Sequence, residues 1–197
     1  MSYKAGSINN EMKSDKELML LISKGDKNAF AVLMQRHIAA LLNFNRQYLS
    51  TEAEDIVQEA FIRLWNKAPE WQDKGISPKA WLMRVSYNLC IDTLRKQKTI
   101  SLEDQQTTLV DPNVTIEQHV INRSDFQQKI QQLNALPERQ RTAITLCAYH
   151  GLNNKQAAAV LDISIDALES LLARGRRKLK QLLKQQNNAE LELNHDD

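Results

Sequence analysis

The sequence predicts an all-α protein made of two small helical domains joined by a flexible linker. Three observations carry that expectation. Gly and Pro number only five and four among 197 residues, which leaves few hairpin turns. Hydrophobic residues make up 42% of the chain, enough for packed cores. Apolar residues recur at helical spacing along most of the chain and lapse once, in a polar stretch near its middle.

The first domain is expected over residues 14–98. Residues 1–13 are polar and read as frayed. Ser14 stands three before Glu17, the spacing at which each side chain satisfies a free amide of a first helical turn. Leu18, Leu21 and Ile22 follow in helical period. Gly25-Asp26 marks a break, after which Phe30, Leu33, Met34, His37, Ile38 and Leu41 restart it. His37 on this face reads as a packed core histidine. Thr51 and Glu54 form a second capping box, opening a helix from Ala53 to Lys67 with a buried stripe of Ile56, Val57, Ala60, Phe61 and Leu64. A loop from Ala68 to Ile76 follows. Ser77 then caps a helix with Pro78 at its first position, where a missing amide costs nothing. That helix carries Trp81, Leu82, Val85, Leu89 and Leu94 and runs to Lys98.

Residues 99–115 read as the linker, rich in Gln, Thr, Asp and Asn. The second domain spans 116–186. Ile116, Phe126, Ile130 and Leu133 restore the helical period, and Leu136-Pro137 starts a helix that Gly151 ends. Asn153 and Gln156 cap a short helix from Lys155 to Leu161. Asp162-Ile163-Ser164 makes a three-residue turn, and Ser164 caps a long helix to about Lys184. The last segment, 187–197, reads as a disordered acidic tail.

Several function classes lack their signatures. The four histidines His37, His119, His150 and His195 are scattered, and no Gly-rich phosphate loop, HExxH or nucleophile elbow is present. The sequence therefore points away from an enzyme and gives no sign of a metal or other cofactor, or of a small-molecule substrate. Cys90 and Cys147 stand apart, which fits free thiols in a reducing cytosol. The longest aliphatic run, Leu18 to Ile22, is too short to span a bilayer, and no signal-peptide core appears. A cytoplasmic protein without membrane contact of its own is expected.

A net charge of +2 hides an uneven distribution. The short helix, tight turn and long helix of the second domain have helix-turn-helix proportions, in which the second helix enters the major groove. Leu168, Leu171, Leu172 and Leu179 would pack inward. Asp166, Glu169, Ser170, Ala173, Arg174 and Arg177 would face the groove. Arg174, Arg176, Arg177, Lys178, Lys180 and Lys184 outnumber Asp166 and Glu169 along this helix. A solvated helix end has the same composition; the preceding turn and short helix are what favour DNA.

In the first domain an acidic helix, with Glu52, Glu54, Asp55 and Glu59, precedes a basic one, with Lys79, Arg84, Arg95, Lys96 and Lys98 against Asp92. An acidic face suits a basic protein partner, although solvated faces also look this way. Here a resemblance becomes specific. Asp55-Ile-Val-Gln-Glu-Ala-Phe-Ile-Arg-Leu-Trp65 resembles the core-binding helix of bacterial sigma factors. Ala80-Trp81-Leu82 with Asn88, Asp92 and Arg95 resembles the promoter-melting helix of their extracytoplasmic-function (ECF) group. Leu136-Pro137-Glu138-Arg139-Gln140-Arg141 resembles the opening of that group's second domain, and Ala167–Arg174 with Arg176 its recognition helix.

The resemblance implies a promoter-specificity subunit of core RNA polymerase. Asp55, Gln58, Glu59, Leu64 and Trp65 would grip the β′ clamp helices. Trp71, Lys79, Trp81, Arg84, Asn88, Asp92, Arg95, Lys96 and Lys98 would serve −10 recognition and melting. Lys155, Asp166, Glu169, Ser170, Ala173, Arg174, Arg177 and Lys178 would serve the −35 element, with the β flap touched by the same domain. Promoter DNA and an anti-sigma factor are the other implied partners. Against the family pattern, Pro78 replaces an aromatic, Val85-Ser86-Tyr87-Asn88 replaces Ile-Ala-Arg-Asn, and Asp162 replaces a turn Gly. Glu169 stands where a basic residue is common and could accept from a cytosine amine. The main rival is a helix-turn-helix regulator with a helical sensor or dimerisation domain that works without being a polymerase subunit.

Overall fold

A computed structural model of the chain describes residues 10–72, 75–103 and 133–193, with side chains over 10–72, 75–99 and 133–185. All regular structure among these residues is helical, in two compact units divided after Glu117. The linker from 104 to 115, the helix expected from Ile116 to 132 and the extreme tail at 194–197 lie outside the described residues.

The first unit is built from α1 (Asp15–Ile22), α2 (Lys27–Asn45), α3 (Ala53–Lys67) and α4 (Pro78–Glu103). The Ser14–Glu17 capping box forms: Glu17 N donates to Ser14 Oγ at 3.3 Å, and Ser14 N donates to Glu17 Oε2 at 2.7 Å. Gly25 takes φ +85°, and Asp26 caps α2 by accepting from Asn28 N and Ala29 N at 2.8 and 3.0 Å. Residues 11–13 are held rather than frayed, because Arg36 Nη2 donates to the carbonyls of Glu11 and Lys13 at 3.1 and 3.0 Å.

The second expected box is absent. Glu52 is the N-cap of α3 and makes no side-chain cap bond. Thr51 Oγ1 instead donates to Glu52 Oε2 at 2.6 Å, while Glu54 accepts from Arg46 Nη2 at 2.6 Å. A tertiary partner thus takes the carboxylate that local spacing had assigned to the helix start. Ser77 does cap α4, accepting from Ala80 N at 3.2 Å.

The core gathers Leu18, Met19, Leu33, Leu41, Phe44, Phe61, Leu64, Leu82 and Met83, all under 3% exposed. His37 is buried as expected. The inward stripe of α4 is Leu82, Met83, Ser86 and Cys90, while Val85, Leu89 and Leu94 are only half-buried. Burial, then the charge of Glu52, pushes the Cys90 thiol up to about 12, which suits an inert core thiol. The α4 helix continues past Lys98 to Glu103, into the stretch expected to begin the linker, since that stretch holds no Gly or Pro to stop it.

The second unit comprises α5 (Glu138–Ile144), a wide π-type turn (Thr145–Tyr149), α6 (Asn154–Leu161) and α7 (Ile165–Leu193). Gly151, at φ +66°, ends the first segment. Asn153 and Gln156 form the expected capping box of α6. Asp162 occupies the left-handed region at φ 53°, ψ 51°, and Ser164 Oγ accepts from Ala167 N at 3.1 Å to open α7. The α7 helix runs beyond Lys184 to Leu193, through Ala189, Glu190 and Leu191, residues of high helix propensity in a segment read as disordered.

Candidate functional site

Three surfaces hold the residues singled out from the sequence. On α3, Asp55, Gln58 and Glu59 share the outward face, and Glu59 accepts from Arg63 Nε at 2.7 Å. Trp65 borders that face, packed edge-on against Phe30 with centroids 5.0 Å apart. Leu64 does not join them. It is 0% exposed, so it supports the helix from beneath and offers no contact surface.

Sequence periodicity missed what lies beside this face. An apolar groove of about 310 Å³ runs between α2 and α3, lined among others by Met34, Ile38, Val57, Gln58, Ile62 and Trp65. Ile38 and Ile62 are exposed, although Ile38 fits the inward period of α2. An apolar residue at helical spacing can face a neighbouring helix or an open groove, and spacing alone does not separate the two.

The second surface lies on α4 and the loop before it. Helical spacing puts Trp81, Arg84, Asn88, Asp92, Arg95 and Lys96 along one stripe, opposite the buried Leu82, Met83, Ser86 and Cys90. Arg95 lies 3.7 Å from Asp92, one turn away. Lys79 and Lys98 fall off this stripe. Trp71 meets Trp81 edge-on, with centroids 6.0 Å apart, and the pair lines an open hollow of about 470 Å³ with Lys67, Glu70, Gln72 and Ile76. Tyr87, standing where the family often has a basic residue, packs against Tyr48 at 5.8 Å.

The third surface is the outward face of α7. Asp166, Glu169, Ser170, Ala173, Arg174, Arg177 and Lys178 are all exposed, whereas Leu168 and Leu172 are buried. Leu171 and Leu179, expected inward, are half-buried. Lys155 is exposed on α6, the shorter helix of the pair. Arg174 Nε donates to Ser170 O at 3.2 Å, and Glu169 Oε1 accepts from Asn154 Nδ2 at 3.1 Å. Arg176, Lys180 and Lys184 add exposed positive charge further along α7. A helix with a buried leucine edge, a polar N-terminal half and a basic continuation is suited to enter a groove and meet phosphates. No group of three or more potential metal-ligating side chains occurs among the described residues, and none of their helices is long and apolar enough to cross a membrane.

These surfaces stand in this order on two helical units: an acidic face on α3, a basic stripe on α4 and a polar, then basic, outward face on α7. Residues 33–100 match the Sigma-70 region 2 family, and residues 128–179 match Sigma-70 region 4. The chain is 33% identical over 180 residues to the RNA polymerase sigma factor NccH of Alcaligenes xylosoxydans xylosoxydans, covering 86% of this chain and 94% of that one. It is 29% identical over 178 residues to the ECF RNA polymerase sigma factor SigW of Bacillus subtilis, covering 83% and 93%. Among solved structures it resembles CnrH in complex with the cytosolic domain of CnrY, at 27% identity and TM-score 0.62, covering 87% of this chain and 98% of that one. It also resembles RpoE in complex with the anti-sigma factor NepR from Bartonella quintana, at 28% identity and TM-score 0.66, covering 79% and 96%.

The chain belongs to the sigma factors of RNA polymerase, within their ECF group. Sigma factors are transcription-initiation factors, and that membership sets aside the rival reading of a free-standing regulator.

Proposed function

We propose that this sigma factor joins core RNA polymerase through the outer face of α3, opens the −10 element with α4 and its preceding loop, and reads the −35 element with α7. The observation that carries the reading is the pairing of opposite surfaces on consecutive helices of one unit. Asp55, Gln58 and Glu59 present acid and amide groups beside an apolar groove, while Arg84, Arg95 and Lys96 present positive charge on the next helix. Acidic groups repel DNA and attract a basic protein surface; the basic stripe does the reverse. The β′ clamp helices are the partner for the first, and Trp65 with Ile62 supplies the apolar anchoring that charge alone lacks.

Opening a duplex requires bases to leave the stack, at a cost of a few kcal/mol. The Trp71–Trp81 hollow offers an extruded base aromatic edges and polar neighbours, which offsets that cost. Asn88 can hydrogen-bond a base or the backbone, and Arg84, Arg95 and Lys96 then follow the exposed strand, with Lys79 and Lys98 flanking it. In the second unit the N-terminal half of α7 addresses base edges, while Lys155 and Lys178 approach phosphates. The β flap meets the same unit.

The reading requires no catalytic group, cofactor or small-molecule substrate in this chain, since nucleotide addition belongs to the core enzyme. It places the protein in the cytoplasm, beside the genome. Control by an anti-sigma factor fits the similarity to CnrH and RpoE, each of which was solved with a bound partner, CnrY or NepR.

Core binding is tested by competition of labelled wild-type and variant chains for purified core polymerase. Asp55→Arg with Glu59→Arg is expected to weaken binding at least about tenfold, by reversing the charge of a docking face. A wild-type chain that fails to bind core polymerase overturns the reading.

A further inference from the structure

We propose that Asn154 is a positioning residue for promoter reading: it holds one oxygen of the Glu169 carboxylate so that the other addresses a cytosine amine in the −35 element. The proposal rests on the reading of α7 as the recognition helix.

Asn154 is the first residue of α6, immediately after its N-cap. The capping bonds are made by Asn153 and Gln156, so the Asn154 side chain is not engaged in starting the helix. It donates instead from Nδ2 to Glu169 Oε1 at 3.1 Å, fifteen residues on, and so joins the start of α6 to the second turn of α7. Both side chains are exposed, so core packing does not impose the contact. Glu169 lies in the second turn of α7, between Asp166 and Ser170 on the outward face, where recognition helices meet base edges.

The chemistry selects the base. A carboxylate has acceptors only, so in the major groove it can pair with cytosine N4 or adenine N6. Adenine presents its N7 acceptor beside N6, which repels a carboxylate and suits an amide. Cytosine presents a C–H beside N4, which does not. A free Glu side chain entering the groove is also driven away by flanking phosphates and must give up several rotamers to bind. Fixing Oε1 beforehand removes part of that ordering cost and turns Oε2 towards the groove. Asn suits the task because it is a neutral donor: a Lys or Arg at position 154 would neutralise the carboxylate and bring its own attraction to phosphate.

The rival account is a clasp that only braces α6 against α7. Holoenzyme assembled from core polymerase and the full chain separates the two, using competitive binding to a promoter library randomised through the −35 element. Glu169→Ala is expected to lose about tenfold or more in preference for cytosine at one position. Asn154→Ala should lose about three- to tenfold at that same position, with the double variant no worse than Glu169→Ala alone, because the two residues act as one unit. Preferences at the other positions and the salt dependence should stay unchanged, and Asn154→Gln should restore part of the loss. The proposal is overturned if Asn154→Ala leaves the cytosine preference intact, or if it weakens all sequences equally, as a brace would. It also fails if Glu169→Ala relaxes no position while the wild type still selects a −35 sequence; the recognition-helix reading then survives. A wild-type holoenzyme that selects no −35 sequence overturns both.

Discussion

His37 Nε2 lies 2.6 Å from Asp15 Oδ2, while Arg36 Nη1 holds the other oxygen of the same carboxylate at 2.5 Å. Two successive residues of α2 thus clamp the first turn of α1. Partial burial alone would raise the Asp15 carboxyl, but the hydrogen bond and charge of His37, then those of Arg36, outweigh it and hold the group below its ordinary value. A depressed carboxyl stabilises the fold fully above its unfolded value of about 3.9 and loses that contribution as pH falls through the folded value.

Asp15→Asn is therefore expected to cost about 1–3 kcal/mol at pH 7, the range for a charge-assisted hydrogen bond partly shielded from water. It should also flatten the decline of stability as pH falls below about 4. Urea unfolding of both proteins across that range measures it, and an unchanged acid slope would count against the clamp.

Gly175 gives a second prediction. A Cβ there would lie 2.7 Å from Ile144 Cδ1 and 3.4 Å from Gln140 Cβ, so the glycine lets α7 cross α5 closely. Gly175→Ala gains about 1 kcal/mol of helix propensity but overpacks the crossing by about 1–3 kcal/mol. We expect a net loss in thermal unfolding. Adding Ile144→Val, which removes Cδ1, should turn the alanine from harmful to helpful. If alanine destabilises both backgrounds equally, that crossing is not what restricts position 175.

Which features could be read from sequence follows from the range of the forces involved. The capping boxes at Ser14 and Asn153 were legible because both partners lie within one turn. The same spacing at Thr51 misled because Arg46, at the C-cap of the preceding helix, claims Glu54. Burial of Leu168 and Leu172 followed from period alone. The period also placed Ile38 inward and could not reveal the groove it borders, nor that Leu64 lies too deep to touch a partner. The Asn154–Glu169 and Asp15–His37 bonds join residues far apart in sequence, and no local pattern encodes them. The π-type turn at Thr145–Tyr149 leaves Thr145 Oγ1 buried without a hydrogen-bond partner, and no feature of the local sequence signalled it.

Asp162 supplies a third prediction, since its left-handed backbone is costly for side chains with a branched Cβ. Asp162→Val is expected to lose about 1–2 kcal/mol and to weaken −35 binding, whereas Asp162→Gly should stay within about 1 kcal/mol of the parent. Chemical denaturation of the three proteins compares them. Valine matching glycine in stability would show that the turn adopts another conformation.

Trp71 gives a fourth. Its edge-on contact with Trp81 shapes the hollow proposed to receive an extruded base. Trp71→Ala should leave core binding and −35 preference intact while slowing strand opening at the −10 element about tenfold, the cost of losing 1–2 kcal/mol of base stacking. Permanganate reactivity of unpaired thymines reports this. Unaltered opening kinetics would remove Trp71 from the melting step.

The most direct measurement is transcription in vitro from genomic DNA by core polymerase with and without the purified chain, with start sites mapped by sequencing. The account predicts a discrete set of new start sites that share −10 and −35 elements, appear only when the chain is present, and disappear with Asp55→Arg/Glu59→Arg. A polymerase that binds the chain yet initiates nowhere new, or new initiation that survives loss of the α3 face, would contradict it.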